Sequence, residues 1–330
     1  YTDSRRPDSV RFSDPPSDAA RRDFTINALF LDPLAPPPIE NGIIDFVSGL
    51  HDLHARVIRA VGDPAARLAE DHLRALRAIR FASRLDFTID PATATAISAH
   101  ASELRGVSRE RIGEELRRML HHPSRARALS IMQELAVDAP VLGEPTARVP
   151  LPFVESLTAT LSPQSVVSPM LALAAWRLDR DAAGGTGLND RAIADAKRRA
   201  RAALSLSNDE ADEFGAILTT HQLVLNGWTV ATTARRKRWA GTRWFDPACR
   251  LIAAAHPSQA TQIHQDTNNL QTDGAGLAPN PLITGDDLAA AGMTPGPAFR
   301  IILDAVYDAQ LEGRVTTRDA AMELAAGLNV

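Results

Sequence analysis

Cysteine is nearly missing: Cys249 is the only one in 330 residues. That excludes an internal disulfide framework and any zinc site built from several thiolates, and it points to a reducing, cytoplasmic setting. Lysine is almost as scarce. Lys197 and Lys237 are the two lysines among 36 basic residues, so the other 34 are arginine. A surplus of this kind follows from a genome rich in G and C and does not by itself indicate RNA binding. Tyrosine occurs twice, and aromatic residues make up 5% of the chain. No apolar run approaches the ~18 residues of a membrane-spanning helix, so no membrane partner is expected. The nine histidines have no metal-ligand spacing. The first residue is Tyr1 rather than methionine, and no basic-then-apolar leader follows it. Carboxylates, arginines, hydroxyls and backbone are left to carry any chemistry.

What is present is ordinary globular material, 45% hydrophobic and 23% charged with a net charge of −4, on a length suited to about two domains. Only residues 1–53 have a mixed α/β character. Val10, Arg11 and Phe12 predict an extended strand before the Asp14-Pro15-Pro16 turn. Residues 23–31 alternate polar and apolar, ending at Asp32-Pro33 and a proline loop, and residues 43–46 form a second strand-like run. Beyond them the period is helical. Asp63-Pro64 and Asp90-Pro91 each predict an N-cap followed by proline at the first helical position. Ser108 predicts a third cap, and Ile112, Leu116, Met119 and Leu120 then recur as one apolar stripe. Further helical stretches cover roughly 150–180, 189–226 and 246–256. Residues 256–281, rich in Gln, Asn and Thr, read as a linker, and Gly285-Asp286-Asp287-Leu288 opens a helical end unit.

Three segments carry the candidate chemistry: Arg21-Arg22-Asp23-Phe24-Thr25-Ile26-Asn27-Ala28; residues 45–53, with Asp45, Gly49 and Asp52; and Glu70-Asp71-His72-Leu73-Arg74-Ala75-Leu76-Arg77-Ala78-Ile79-Arg80-Phe81. Taken singly, each also reads as a solvated turn or helix face with weak ion pairs. In the third, Arg74, Arg77 and Arg80 form a cationic ridge that only Glu70 and Asp71 oppose, at its start. A triphosphate would supply the missing counter-charge. A carboxylate three residues before an arginine has a further use. The carboxylate accepts from an exocyclic amine while the guanidinium donates to a neighbouring ring nitrogen or carbonyl. Cytosine and adenine present that pattern; guanine and uracil present the reverse and would leave groups unpaired, at ~1–3 kcal/mol each.

In this order and spacing the three segments resemble the class II tRNA nucleotidyltransferase family, the bacterial CCA-adding enzymes and their poly(A) polymerase relatives. The resemblance covers residues 1–120 and resumes over 281–324, through Leu-Ile-Thr-Gly-Asp-Asp-Leu, Pro295-Gly296-Pro297 and Ala309-Gln310-Leu311-Glu312-Gly313. It implies an α+β chain: the remnant of an α/β nucleotidyltransferase head (1–53), then an elongated, mostly α-helical neck that reads the base (54–120), a body that binds tRNA (121–256), the linker (257–280) and a tail (281–330). It also implies template-independent addition of C and A to the 3′ end of tRNA from CTP and ATP. The nucleotide-binding positions would be Arg22 for the phosphates, Asp23 by the ribose, Asp71 and Arg74 at the base edge, and Arg77 and Arg80 beside them. Arg21, Asn27, Asp45, Asp52 and Glu70 would support that site, with Asp45, Gly49 and Asp52 holding head to neck.

The family's Mg2+ carboxylates, an Asp-x-Asp pair after a glycine-rich loop and a third acid, are expected upstream of Tyr1. No catalytic residue or metal ligand is therefore expected here, and the chain is predicted to be N-terminally truncated and inactive alone. The tRNA acceptor arm is the expected macromolecular partner. Arg235, Arg236, Lys237 and Arg238, interleaved with Trp239 and Trp244, are the candidate RNA contacts, tracking phosphates by shape; the same cluster also reads as a solvated face over core tryptophans. Alternatives within the chemistry are poly(A), A-only or CC-only addition, and outside it a non-catalytic RNA-binding remnant.

Overall fold

The computed structural model describes residues 14–36, 38, 42–159, 167–184, 188–272, 276–294 and 296–328. The strand expected over residues 10–12 and Pro295 of the tail motif lie outside them. The chain divides into two compact units, Tyr1–Leu173 with Arg198–Ala211, and Ala174–Lys197 with Asp212–Val330.

The first unit begins with α1 (Pro15–Ala19) and a two-stranded antiparallel sheet of β1 (Leu29–Leu31) and β2 (Ile43–Asp45), in which Phe30 faces Ile44. The alternation over 23–31 does not produce one strand. Phe24 makes a single antiparallel bridge to Ala60, residues Thr25–Asn27 turn in a short 3-10 helix, and the strand starts only at Leu29. Next come α2 (Gly49–Ala55), β3 (Val57–Ile58), α3 (Pro64–Glu70), α4 (Arg74–Leu85), β4 (Thr88–Ile89) and α5 (Pro91–Ala99). The parallel pairing of β3 with β4 is too short to leave a period in the sequence.

Helices start where the sequence provides acceptors. Asp63 caps α3 through the Ala66 amide and Asp90 caps α5 through the Thr93 amide, each with proline at the start of the helix. Ser108 likewise caps α6 (Arg109–His121). The α6 stripe of Ile112, Leu116, Met119 and Leu120 is buried, and α6 packs on α4 and on α7 (Arg125–Glu134). Leu76 and Ile79 of α4 and Leu129 and Met132 of α7 are fully buried, each stabilising by about 1.5–3 kcal/mol. This packed set of helices backs the site. Helices α8 (Asp138–Leu142) and α9 (Pro152–Ala159) follow, and the unit boundaries fall within α10 (Pro169–Gly184), α11 (Asp190–Leu204) and α12 (Asn208–Gly227).

The second unit continues with α13 (Thr233–Ala240), α14 (Phe245–Ala255), α15 (Pro257–Thr272), α16 (Gly285–Ala290), α17 (Pro297–Leu311) and α18 (Arg318–Leu328). Helix α15 corrects the linker expected over 257–280. Its surface is polar, but Ile263 is buried with Val224, Trp228, Phe245 and Ile252, and Ala260 and Leu270 pack against the same cluster. A stripe of three apolar residues is enough to dock a helix, and it is too sparse to stand out of a Gln- and Asn-rich stretch. Thr284 and Asp287 form a capping box at α16, and Ile283, Leu288, Ile302 and Val306 share a separate small core.

Candidate nucleotide site

Residues 21–28 are held to residues 59–61 by backbone hydrogen bonds and to α4 by a ring contact. The Val61 amide donates to the Asp23 carbonyl and the Thr25 amide to the Arg59 carbonyl, while Phe24 packs edge-on against Phe81, ring centres 5.9 Å apart. This brings Asp23 to α4. Its Oδ2 accepts a fork from Arg77, Nη2 at 2.6 Å and Nε at 2.8 Å, and its Oδ1 accepts from the Phe24 amide and from Asn27 Nδ2. Asp23 is buried, so this charge-assisted pair fixes it firmly.

The Glu70–Phe81 stretch is not one helix. Helix α3 stops at Glu70 and α4 starts at Arg74, and Asp71 lies between them with extended backbone, φ −155° and ψ 102°. Its Oδ1 accepts from the Leu73 amide at 3.1 Å, a local turn closed by the side chain. Its Oδ2 accepts from Arg111 Nη2 on α6 at 2.7 Å. Arg74 Nη1 donates to Glu70 at 2.6 Å and to the Arg67 carbonyl at 2.7 Å. The Glu70 carboxyl is held below its usual range, chiefly by the hydrogen bond from Arg74. The expected ridge therefore has partners from outside its helix: Arg77 is matched by Asp23 and Arg80 by Glu115.

The two segments meet in one cleft of about 600 Å³. Arg21, Arg22, Asp23 and Asn27 line one part of it, Asp71, Leu73, Arg74 and Arg77 another, with Phe81 and Arg111 completing the walls. Five guanidiniums against two carboxylates leave a surplus of positive charge suited to an anionic ligand. Arg22 is half exposed, side chain 49%, and pairs at 2.7 Å with Asp18, an exchangeable surface contact. Arg111 had no linear signal, because it meets Asp71 across 40 residues of chain. Arg67 was also missed; it donates to the Ala20 and Val61 carbonyls and to Glu70, joining the first segment to α3.

Other expected site residues lie elsewhere. Arg80 does not line the cleft; it is buried, donates to Glu115 Oε2 at 2.7 Å and covers the Phe81 ring. The helix turn that separates it from Arg77 aims it into the α4–α6 contact. Asp45 caps α2, accepting from the Val47, Gly49 and Leu50 amides. Burial pushes its carboxyl upward, and these backbone donors outweigh that and hold it below its usual range. Asp52 is buried, accepting from Thr25 Oγ1 at 2.7 Å and from Arg59.

The basic cluster of α13 is largely occupied. Arg236 donates to the Trp228 and Thr229 carbonyls, Lys237 is buried, and Arg238 pairs with Asp304 and Asp308 of α17. Lys237 is thus enclosed, while Arg236 and Arg238 stay partly exposed with backbone or acidic partners. Arg235 stays exposed over Trp239, and Arg243 over Trp244 at 4.1 Å.

Among the described residues, no three His, Cys, Asp or Glu side chains converge so as to hold a metal ion. The sequence has one Asp-x-Asp spacing, Asp179-Arg180-Asp181 on α10, contrary to its expected absence. It is helical: Asp181 is paired with Arg177, and Asp179 is buried.

A family model described as the poly A polymerase head domain matches residues 1–59, and one described as the probable RNA and SrmB-binding site of polymerase A matches residues 86–145. A CCA-adding enzyme of Levilactobacillus brevis is 51% identical over 122 residues, 36% of this chain and 29% of its own length. One of Lactobacillus johnsonii is 43% identical over 144 residues, 43% of this chain and 35% of its own length. The matched stretch thus spans about a third of these curated relatives. The crystal structure of the Bacillus stearothermophilus CCA-adding enzyme in complex with CTP is similar over 94% of this chain and 75% of that one, with 27% identity and a TM-score of 0.67.

Proposed function

We propose that this chain, which belongs to the class II tRNA nucleotidyltransferase family, selects C and A nucleotides for template-independent addition to the 3′ end of tRNA. The observation that carries this reading is the single cleft in which the 21–23 turn, the 71–74 turn and Arg111 of α6 converge. Asp71 accepts from the exocyclic amine of cytosine or adenine. Each of its oxygens makes one hydrogen bond, which leaves acceptor capacity on both. Arg74, steadied by Glu70, donates to the adjacent ring acceptor. Arg22 and Arg21 receive the phosphates, and Asp23, locked by Arg77, faces the ribose.

In-line attack by a 3′-hydroxyl on an α-phosphate draws on metal ions, Mg2+ in this family, to activate the nucleophile and neutralise the leaving group. The cleft's carboxylates, Asp23 and Asp71, are each already paired with an arginine and do not form such a site. The described cleft thus acts as a nucleotide-binding site rather than a metal site, and the tRNA contacts, Arg235 and Arg243 among them, hold the acceptor arm.

Binding isotherms of the chain with CTP, ATP, UTP and GTP test this. CTP and ATP are expected to bind about 5- to 100-fold more tightly than UTP and GTP, the effect of one unpaired polar group. Asp71→Asn, whose amide both donates and accepts, is expected to relax that preference. Equal binding of all four would overturn the reading.

A further inference from the structure

We infer that Glu103 is a positioning residue for the turn that carries Asp71, acting through His72. The inference rests on the cleft being a nucleotide site. Asp71 and Leu73 line that cleft, whereas His72 between them does not. The His72 ring instead meets Glu103, in the 3-10 helix Ala101–Gly106, with Nδ1 3.2 Å from Oε2. Nδ1 is buried and makes no aligned hydrogen bond, so the contact with Glu103 is an electrostatic approach rather than a hydrogen bond. The other Glu103 oxygen accepts from His100 Nδ1 at 2.9 Å. That hydrogen bond first, and then the charges of His100 and His72, hold the Glu103 carboxyl below its usual range.

The support is independent of the cleft wall. The 3-10 helix packs on α5 and α8, and Glu103 reaches from it to the back of the turn while Arg111 of α6 holds the front. The charged and ionisable groups gathered at this turn are Glu103 and His100 behind it, Arg111 across the cleft, Glu70 and Asp71 of the turn itself, and Arg67 and Arg74 on Glu70. Between two such supports the Asp71 carboxylate keeps one direction, and a base edge is read only by a carboxylate whose direction is set.

The test is a double-mutant cycle read in CTP affinity. Glu103→Gln is expected to weaken CTP binding about two- to fivefold, in the range of a partly exposed ion pair. The CTP-to-UTP preference should fall with it. In a His72→Ala background the same substitution should have no further effect. Additive losses in the two backgrounds, or an unchanged affinity with Glu103→Gln, would overturn the inference. Thermal melting controls for folding; should Glu103→Gln unfold the chain, His72→Gln keeps the carboxylate with His100 and carries the same expected loss. If the unaltered chain binds CTP no better than UTP, the cleft reading itself fails; if it discriminates and Asp71→Asn abolishes that while Glu103→Gln does nothing, only the present inference fails.

Discussion

Arg77 and Arg80 stand three residues apart on α4 and have opposite surroundings. Arg77 opens onto the cleft and is matched by Asp23 at 2.6 Å, while Arg80 is sealed against Glu115, their side chains 8% and 4% exposed. Removing one partner of a buried pair strands the other charge. Glu115→Ala is therefore expected to cost about 3–5 kcal/mol, measurable by urea unfolding. A second residue-scale prediction concerns His221 in α12, whose burial first, and the nearby His256 charge second, lower its pKa to about 4. The folded state holds the neutral ring, so this contribution is complete above the unfolded value near 6.5 and is lost as pH falls from there toward 4. Unfolding free energy should drop by about 2 kcal/mol between pH 6.5 and 5, and His221→Gln should flatten that slope. A slope unchanged by the substitution would contradict the assignment.

Among elements, the decisive ones are the shortest. The break at residues 71–73 gives Asp71 a direction that a continuous helix from Glu70 would not, and α2 sits where it does because Gly49 has no side chain. A Cβ there would lie 2.1 Å from the Thr25 carbonyl oxygen, and backbone cannot yield as a flexible side chain can. Gly49→Ala is expected to destabilise by at least about 1–3 kcal/mol, moving the 25–28 turn and with it Asp23; a melting curve paired with CTP titration would register both. Helix α15 makes the same point in the second unit. Ile263→Ala, in a site fully enclosed by Trp228 and Phe245, should cost about 2–5 kcal/mol, whereas a linker residue would tolerate it with no change in the unfolding midpoint.

At the scale of the whole molecule, the first unit contains the complete cleft and the second contains the exposed arginine–tryptophan pairs and the α16–α18 core. Nucleotide binding and nucleotidyl transfer can be measured separately. The chain mixed with tRNA lacking its terminal nucleotides and labelled CTP should incorporate label only at background while still binding CTP; incorporation would place a working metal site within these residues. Arg243→Ala is expected to weaken tRNA binding and to reduce its salt dependence by about one phosphate contact, with CTP binding unaltered.

Local signals were enough wherever the chemistry is local. Asp63, Asp90 and Ser108 cap helices because their side chains reach amides three residues on, and Ile112, Leu116, Met119 and Leu120 are buried because the helical period puts them on one face. The three-segment pattern likewise carried the resemblance to CCA-adding enzymes, and most of the cleft residues, in its spacing. Long-range pairing was invisible. That Arg111 closes the cleft on Asp71, that Arg80 turns inward to Glu115, and that Arg236 and Arg238 meet carbonyls and carboxylates while Lys237 is enclosed depend on which helix faces pack together. A linear sequence records the charge of an arginine; whether that charge meets solvent, a ligand or a buried carboxylate depends on what the fold sets opposite it.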